Sequence, residues 1–254
     1  MSKPDVIVVQ PVHVDFPLFR YNLKRYRKYF GTIYLGMSRH HEKDDYTDFY
    51  THEVAEDLGN TVIFETENQL VGDWRSNVVN QALKLSTSER VLFLEQDFLP
   101  RDARIFEVTS DPALDYNTFL YNENGRIHPA FCITDKSLVE MTSKDFAARP
   151  PLYDHFGRFY KELMEISRYI ELHDLGLFRS EDFFHMAGLT NNYQRVREGV
   201  ELYKPSEFLT YNRLCLKLPV RQDPEFKGLM EYIDKNYPLP ILNEEVSRFF
   251  PVLS

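Results

Sequence analysis

The segment from Arg90 to Pro100 (RVLFLEQDFLP) constrains the fold of this chain more than any other. It contains a continuous apolar run, which is typical of a strand buried on both faces of a parallel sheet. Pro100 has no N–H to donate to a sheet ladder, so the strand ends before it. The two carboxylates of the segment, Glu95 and Asp97, therefore follow the carboxyl end of the strand. In open α/β sheets this edge is where ligands bind.

The spacing of Glu95 and Asp97 suits a divalent cation. Side chains at i and i+2 of an extended chain point to the same face, and hard cations prefer carboxylate oxygens as ligands. A cation held there would be placed to bridge a diphosphate. The alternative is that both acids are solvated residues of a turn after a core strand, because so short a motif has many chance matches. The residues upstream bear on this choice.

The composition indicates a soluble globular protein. With 254 residues the chain is long enough for one large α/β domain, and 43% of its residues are hydrophobic and 27% charged. No segment approaches the ~18 apolar residues that a membrane helix needs, and no signal-peptide core is present, so we expect a cytoplasmic protein. The net charge of −9 argues against a broad nucleic-acid-binding surface. Cys132 and Cys215 have neither disulfide nor zinc-site spacing.

Strand and helix patterns alternate along the first half of the chain. Three buried strands are predicted before the strand that leads to Glu95: Val6–Gln10, Thr32–Met37 and Thr61–Glu65. Helices are predicted over about Leu18–Tyr29 and Trp74–Leu85 from the spacing of their apolar residues. Such alternation predicts an α/β fold with a mostly parallel sheet and helices on both faces.

The segments Gly72–Leu83 (GDWRSNVVNQAL) and Arg90–Asp97 (RVLFLEQD) together resemble the nucleotide-sugar half of family 2-like GT-A glycosyltransferases. Those enzymes show a glycine, then an arginine and an asparagine on a helix, and then an apolar strand that ends in an acid-x-acid motif. The resemblance covers the N-terminal part of the chain well and the remainder loosely. Two departures stand out: Glu95 is found where the family usually has Asp, and Phe98 is found where a second acid would follow.

The resemblance implies a GT-A fold, with a Rossmann-like, mostly parallel central sheet flanked by helices and a helical C-terminal region. It implies that Asp97 binds the metal, with Glu95 as a further ligand or as a contact to ribose. The residues that it places in the donor site are Pro11, Val12, His13, Asp73, Arg75, Glu95 and Gln96. Arg75 has the planar donor group that suits phosphate or sugar hydroxyls. Asp73 is equally explained as a helix N-cap, and His13 as a residue packed against the next helix.

A second group of polar residues lies at Ser180–Gly188 (SEDFFHMAG). Ser180 is predicted to cap a helix that begins with Glu181 and Asp182, a pattern that helix-dipole stabilisation alone explains. Family 2-like enzymes place an acidic pair facing the acceptor hydroxyl, so the resemblance implies Asp182 as general base, with Glu181 close behind. His185, on the same predicted helix, is either a third metal ligand or a packed core histidine.

The second half is predicted to contain two strands, a long amphipathic helix and a helix within the proline-rich tail: Thr118–Tyr121, Ile127–Thr134, about Phe156–Leu172, and near Glu225–Asn236. We expect one catalytic domain over residues 1–218, followed by a C-terminal arm at 219–254. Within the domain, residues 1–100 form the nucleotide-sugar half and residues 101–218 the acceptor half.

Together these expectations describe a glycosyltransferase that moves a sugar from a nucleoside-diphosphate sugar to an acceptor hydroxyl. It would use Mn²⁺ or Mg²⁺ and would invert the anomeric centre if the base assignment holds. One alternative is a nucleotidyltransferase, although Pro11–Asp15 stands where its Gly-rich phosphate loop belongs. The other is a non-catalytic protein that binds a nucleotide sugar. The acceptor stays open among a glycan, a metabolite, a protein, a lipid carrier and a modified nucleic-acid base.

Overall fold

The computed structural model describes residues 3–10, 17–39, 53, 56–67, 74–95, 98–101, 103–111, 113–114, 117–123, 126–147, 152, 156–177, 183–185, 189–218 and 224–237. The strands are β1 (Asp5–Gln10), β2 (Ile33–Arg39), β3 (Thr61–Glu67), β4 (Arg90–Leu94), β5 (Phe98–Pro100), β6 (Thr118–Glu123), β7 (Arg126–Asp135), β8 (Tyr169–Glu171) and β9 (Phe183–His185). The α-helices are α1 (Pro17–Arg25), α2 (Trp74–Leu85), α3 (Arg104–Thr109), α4 (Lys136–Glu140), α5 (Gly157–Ile166), α6 (Leu189–Glu198), α7 (Pro205–Lys217) and α8 (Pro224–Asn236).

Within the described part of the chain, seven strands form one sheet in the order β3-β2-β1-β4-β7-β6-β8. Strands β3, β2, β1 and β4 are parallel to one another. Strand β7 runs antiparallel to both of its neighbours, β4 and β6, whereas β8 is parallel to β6. Strands β5 and β9 form a separate antiparallel ribbon. The mostly parallel α/β sheet that the sequence predicted is confirmed.

Helices cover both faces of the sheet and bury two apolar clusters. On one face, Ile7 and Phe93 pack with residues of α2, α4 and α5. On the other face, Val8 and Leu94 pack with residues of α1, α3, α7 and α8. Successive residues of a strand point to opposite faces, so β4 serves both clusters with alternate side chains. Phe93 is only 1% exposed, and burying a side chain of this size contributes about 1.5–3 kcal/mol.

The predicted helix over Trp74–Leu85 is confirmed at both ends by α2. The long helix predicted over Phe156–Leu172 is partly wrong, because α5 ends at Ile166 and the chain then forms β8. Strand β8 pairs with β6, and this tertiary pairing overrides the local helical pattern.

The C-terminal helix α8 packs on α7. The side-chain amide of Asn212 on α7 donates to the Met230 carbonyl oxygen at 2.9 Å, and Arg213 forms an ion pair with Asp234. Phe226 and Met230 are buried in the same cluster as Leu92 and Leu94 of β4. The domain division at residue 218 stays a prediction.

Candidate functional site

The order of the strands creates a switch point between β1 and β4. From β1 the chain continues to β2 on one side, whereas β4 lies on the other side of β1. The crevice outside the carboxyl ends of two such strands is where open α/β sheets bind ligands. Strand β1 ends at Gln10, and Glu95 directly follows β4. The structure therefore places Glu95 at the ligand edge of the sheet.

Glu95 is partly buried, and its backbone continues the sheet ladder. Its N–H donates to the Ala130 carbonyl oxygen of β7 at 3.1 Å. Strand alternation sets Glu95 on the same face as Phe93, the face that α2, α4 and α5 cover. Tyr160 of α5 is fully buried on that face. Burial, the Cys132 thiol and the charge of Glu95, in that order, raise the pKa of the Tyr160 phenol well above its ordinary value, so the phenol stays protonated at neutral pH.

The N-terminal half of α2 is held in place by two contacts. The helix packs so closely on β2 that a Cβ at Gly36 would lie 2.5 Å from Cγ1 of Val78. The Phe146 N–H donates to Oγ of Ser76 at 3.0 Å, and both residues are buried. Arg75, the neighbour of Ser76, is partly buried. Because α2 follows β3, its first turn lies at the carboxyl edge of the sheet, as Glu95 does.

The ribbon of β5 and β9 brings a distant segment to this edge. The Phe98 N–H donates to the Glu95 carbonyl oxygen at 3.2 Å, so β5 turns back directly after the end of β4. In the ribbon, Phe98 opposes His185. Opposed residues of an antiparallel pair have Cα atoms about 4.5–5.5 Å apart. The backbone of His185 therefore lies beside the residue that follows Asp97 in the sequence.

The helix predicted to begin at Glu181 after a Ser180 cap is wrong at Phe183–His185, which form β9. The aromatic residues of β9 suit a strand, and pairing with β5 overrides the local capping pattern. His185 thus approaches the end of β4 through strand register, and not through helical spacing from Glu181.

Several predicted site residues lie outside the described part of the chain: Pro11, Val12, His13, Asp73, Gln96, Asp97, Glu181 and Asp182. Of the others, Arg75 and Glu95 both lie at the carboxyl edge of the sheet, and His185 is placed there by its backbone. Among the described residues, no group of three or more His, Cys, Asp and Glu side chains could hold a metal ion. The roles assigned to these residues stay predictions.

Three residues that frame this edge were not singled out from the sequence: Ser76, Phe146 and Tyr160. The Phe146 carbonyl oxygen accepts the Phe156 N–H at 3.2 Å, and the Phe156 ring stacks on Tyr160 with centroids 5.9 Å apart. The bond between Ser76 and Phe146 joins residues 70 positions apart, and the place of Tyr160 depends on how α5 packs on the sheet, so local periodicity did not reveal them. A serine directly after Arg75 on a predicted helix was the available signal.

The sequence matches no family model, and none of the curated proteins compared with it matches. The structure is similar to solved structures at low identity. S. aureus TarS gives a TM-score of 0.51 at 14% identity, over 98% of this chain and 47% of that chain. S. aureus TarS 1-349 gives 0.49 at 15% identity, over 97% and 72%. Mannosyltransferase PcManGT from Pyrobaculum calidifontis, in complex with GDP-Man and Mn²⁺, gives 0.48 at 14% identity, over 99% and 75%.

At these identities the likeness shows the fold alone. The fold is of the GT-A type, as the resemblance of the sequence predicted. Among the described residues, no helix is both long enough and apolar enough to span a membrane.

Proposed function

We propose that this protein is a glycosyltransferase that moves a sugar from a nucleoside-diphosphate sugar to an acceptor hydroxyl. The observation that carries the proposal is the convergence of Glu95 and the first turn of α2 on the ligand edge of a GT-A-type sheet. Arg75 would bind the phosphates or the sugar hydroxyls through its fork of N–H donors. Glu95 would contact the ribose or a cation.

Asp97, Glu95 and His185 would hold a divalent cation. Carboxylate oxygens suit Mg²⁺ and Mn²⁺, and imidazole is a common ligand of transition metals. The register that sets His185 opposite Phe98 supports this set, because it brings the histidine backbone beside the residue after Asp97. When bound, the cation supplies positive charge that stabilises the departing diphosphate.

Asp182, or its neighbour Glu181, would take the proton of the acceptor hydroxyl. A sugar hydroxyl is a poor nucleophile at neutral pH, so removing its proton during attack lowers the barrier. A single displacement of this kind inverts the anomeric centre. In the ribbon, Phe183, the residue after Asp182, pairs with Pro100 and lies about 7 Å along β9 from His185. This assignment rests on the resemblance of the sequence, because the pairing sets the start of β9 farther than His185 from the end of β4.

The rest of the proposed donor pocket would come from the segments after β1, before α2 and after β4, through Pro11, Val12, His13, Asp73 and Gln96. The limits of the donor and acceptor halves stay predictions, and so does a cytoplasmic location. The acceptor class stays open.

The proposal is tested by measuring the unfolding temperature with UDP, GDP, CDP and dTDP and their common sugars, in Mn²⁺ and in EDTA. A ligand that binds the native state stabilises it by about 2.7 kcal/mol at a hundredfold excess over its Kd. We expect one nucleotide to stabilise the wild type in Mn²⁺, and Asp97→Ala to abolish that stabilisation. Asp111→Ala is the control. Asp111 is exposed and lies two residues after Thr109, whose carbonyl oxygen accepts a hydrogen bond from Arg90 at the sheet edge opposite the proposed site.

Stabilisation by no nucleotide contradicts the proposed function. Equal stabilisation of the wild type and Asp97→Ala contradicts the assignment of the metal ligand. Nucleotide-sugar binding without release of the nucleoside diphosphate, in the presence of glycan, metabolite, protein and lipid-carrier acceptors, indicates the non-catalytic binding protein instead.

A further inference from the structure

One buried hydrogen bond joins the first turn of α2 to the segment before α5. The Phe146 N–H donates to Oγ of Ser76 at 3.0 Å, and the two residues are 0% and 7% exposed. The bond connects residues 70 positions apart, so it is a tertiary contact and not part of the helix itself. A buried bond of this kind fixes the start of α2 relative to the other helices on its face of the sheet.

Phe146 is itself firmly held. Its carbonyl oxygen accepts the Phe156 N–H at 3.2 Å, and its ring lies 5.9 Å from that of Phe93 and 4.8 Å from that of Phe159. Phe156 adopts a left-handed backbone conformation (φ 62°), which residues with a side chain rarely adopt. Such strained positions persist where the surrounding packing determines them. The backbone N–H that donates to Ser76 therefore belongs to a tightly packed residue.

We propose that Ser76 is a positioning residue for Arg75: its bond to Phe146 fixes the first turn of α2 and thereby the direction from which Arg75 meets the phosphates of the donor. This inference rests on the proposed function. A guanidinium recognises phosphate through N–H groups in a planar fork, so its orientation decides how many bonds it makes. A misplacement of 1 Å can cost about 100-fold in activity.

The other end of α2 supplies a matched control. Ser86, 4% exposed, donates its hydroxyl hydrogen to Oδ2 of Asp5 at 2.7 Å, directly after the helix. Ser76→Ala and Ser86→Ala each remove one buried hydrogen bond, and because the Ser86 bond is to a carboxylate, we expect a fall in the urea midpoint at least as large for Ser86→Ala. Only Ser76→Ala is expected to weaken binding of the nucleoside diphosphate in the UDP, GDP, CDP and dTDP panel, by up to the roughly tenfold to 100-fold that a charge-assisted hydrogen bond contributes.

Two further readouts test this role. In Ser76→Ala the amide of Phe146, which loses its acceptor, is expected to exchange hydrogen faster while the far end of α2 stays protected, which shows that the change is local. If Ser76 acts through Arg75, the double variant with Arg75→Ala binds the diphosphate no more weakly than Arg75→Ala alone. Ser76→Thr keeps a hydroxyl and is expected to retain near wild-type affinity.

Equal losses of affinity in Ser76→Ala and Ser86→Ala overturn the proposal, as do additive losses in the double variant with Arg75→Ala. A wild type that binds none of the four diphosphates shows failure of the proposed function, and this inference fails with it. If the wild type binds one of the diphosphates, the Ser76 variants test this inference separately from the proposed function. If Ser76→Ala does not fold, Ser76→Cys, whose thiol is a weak acceptor, replaces it in every comparison.

Discussion

A Cβ atom at Gly31 would lie 2.3 Å from Oδ1 of Asp5 and 3.2 Å from the Lys3 carbonyl oxygen. Asp5 is 3% exposed and accepts hydrogen bonds from the Thr32 N–H and the Ser86 hydroxyl, both at 2.7 Å. This carboxylate thus joins the start of β1 to the start of β2 and to the end of α2. Position 31 has no room for a side chain because the carboxylate occupies that space.

Gly31→Ala is expected to destabilise the protein by about 1–3 kcal/mol, because the methyl group must displace a carboxylate that two hydrogen bonds hold. Urea denaturation measures the change. Gly228→Ala is the control, since a Cβ at exposed Gly228 in α8 would meet open space. That substitution is expected to stabilise by about 0.5–1 kcal/mol. Equal changes in the unfolding free energy for the two substitutions would show that a methyl group at position 31 does not clash with Asp5.

Gly36→Ala is expected to cost about 1–3 kcal/mol and to shift α2, because the new methyl group meets Cγ1 of Val78. Val78→Ala removes the obstructing methyl groups. We therefore expect the double variant to be more stable than the sum of the single effects implies, by at least about 0.5 kcal/mol in a denaturation cycle. Strictly additive changes in the unfolding free energy would mean that the side chains at positions 36 and 78 do not clash.

The Cys132 thiol is expected to resist thiol reagents in the native protein. Its side chain is 0% exposed, and burial raises its pKa well above the ordinary value. Because the folded state keeps this proton while the unfolded thiol loses it near pH ~8.5, stability falls as pH rises above that value, by at most about 1.4 kcal/mol per pH unit. Urea midpoints between about pH 8 and 9.5 measure the slope. Cys132→Ala is expected to reduce this slope. An unchanged slope would mean that other groups cause the pH dependence of stability.

Glu162 is expected to make stability sensitive to acid. Burial raises its pKa, but hydrogen bonds from the Ser143 N–H (2.6 Å) and the Arg158 guanidinium (3.0 Å) outweigh burial and lower it overall. The resulting stability is fully present above the unfolded pKa of about 4.3 and is lost as pH falls through the folded pKa. The difference in unfolding free energy between wild type and Glu162→Gln should therefore shrink from about pH 5 to pH 3. Glu165→Gln, exposed on the same helix, is the control.

Glu95→Gln is expected to weaken binding of the nucleoside diphosphate in Mn²⁺ by about tenfold, equivalent to about 1.4 kcal/mol, because it removes a charged ligand or a charge-assisted hydrogen bond. Calorimetric titration with and without Mn²⁺ measures the change. Glu231→Gln, in an exposed pair with Lys227 on α8, should bind like the wild type. Unchanged affinity in Glu95→Gln would remove Glu95 from the proposed donor site.

The part of the fold that could be predicted from the sequence is the part built on long local patterns. Strands β1 to β4 are apolar runs, and α2 has a helical apolar spacing over its whole length. Local sequence patterns are therefore enough to predict these elements. Strands β8 and β9 have three residues each and form only because β6 and β5 are available to pair with them. Local capping signals around Ser180 therefore predicted the wrong element for Phe183–His185.

The residues of the candidate site show the same difference between local and long-range signals. Glu95 and Arg75 were predicted because the type of side chain and its place after a strand or at a helix start carry chemical meaning. Ser76 was not, although its place directly after Arg75 was the available signal, because its partner, Phe146, is remote in the sequence. Tyr160 was missed for a related reason: its place beneath Glu95 depends on how α5 packs on the sheet.

The pairing of β5 with β9 makes the order of synthesis matter. Strand β5 leaves the ribosome with the first half of the chain, whereas Phe183–His185 emerge much later. Throughout that interval β5 lacks its β9 partner, and unpaired strand edges are open to pairing with other chains. A nascent chain that stalls before residue 183 would carry this open edge and would also lack α7 and α8, which cover Val8 and Leu94, so completion of the C-terminal region closes the strand edge and the apolar face together.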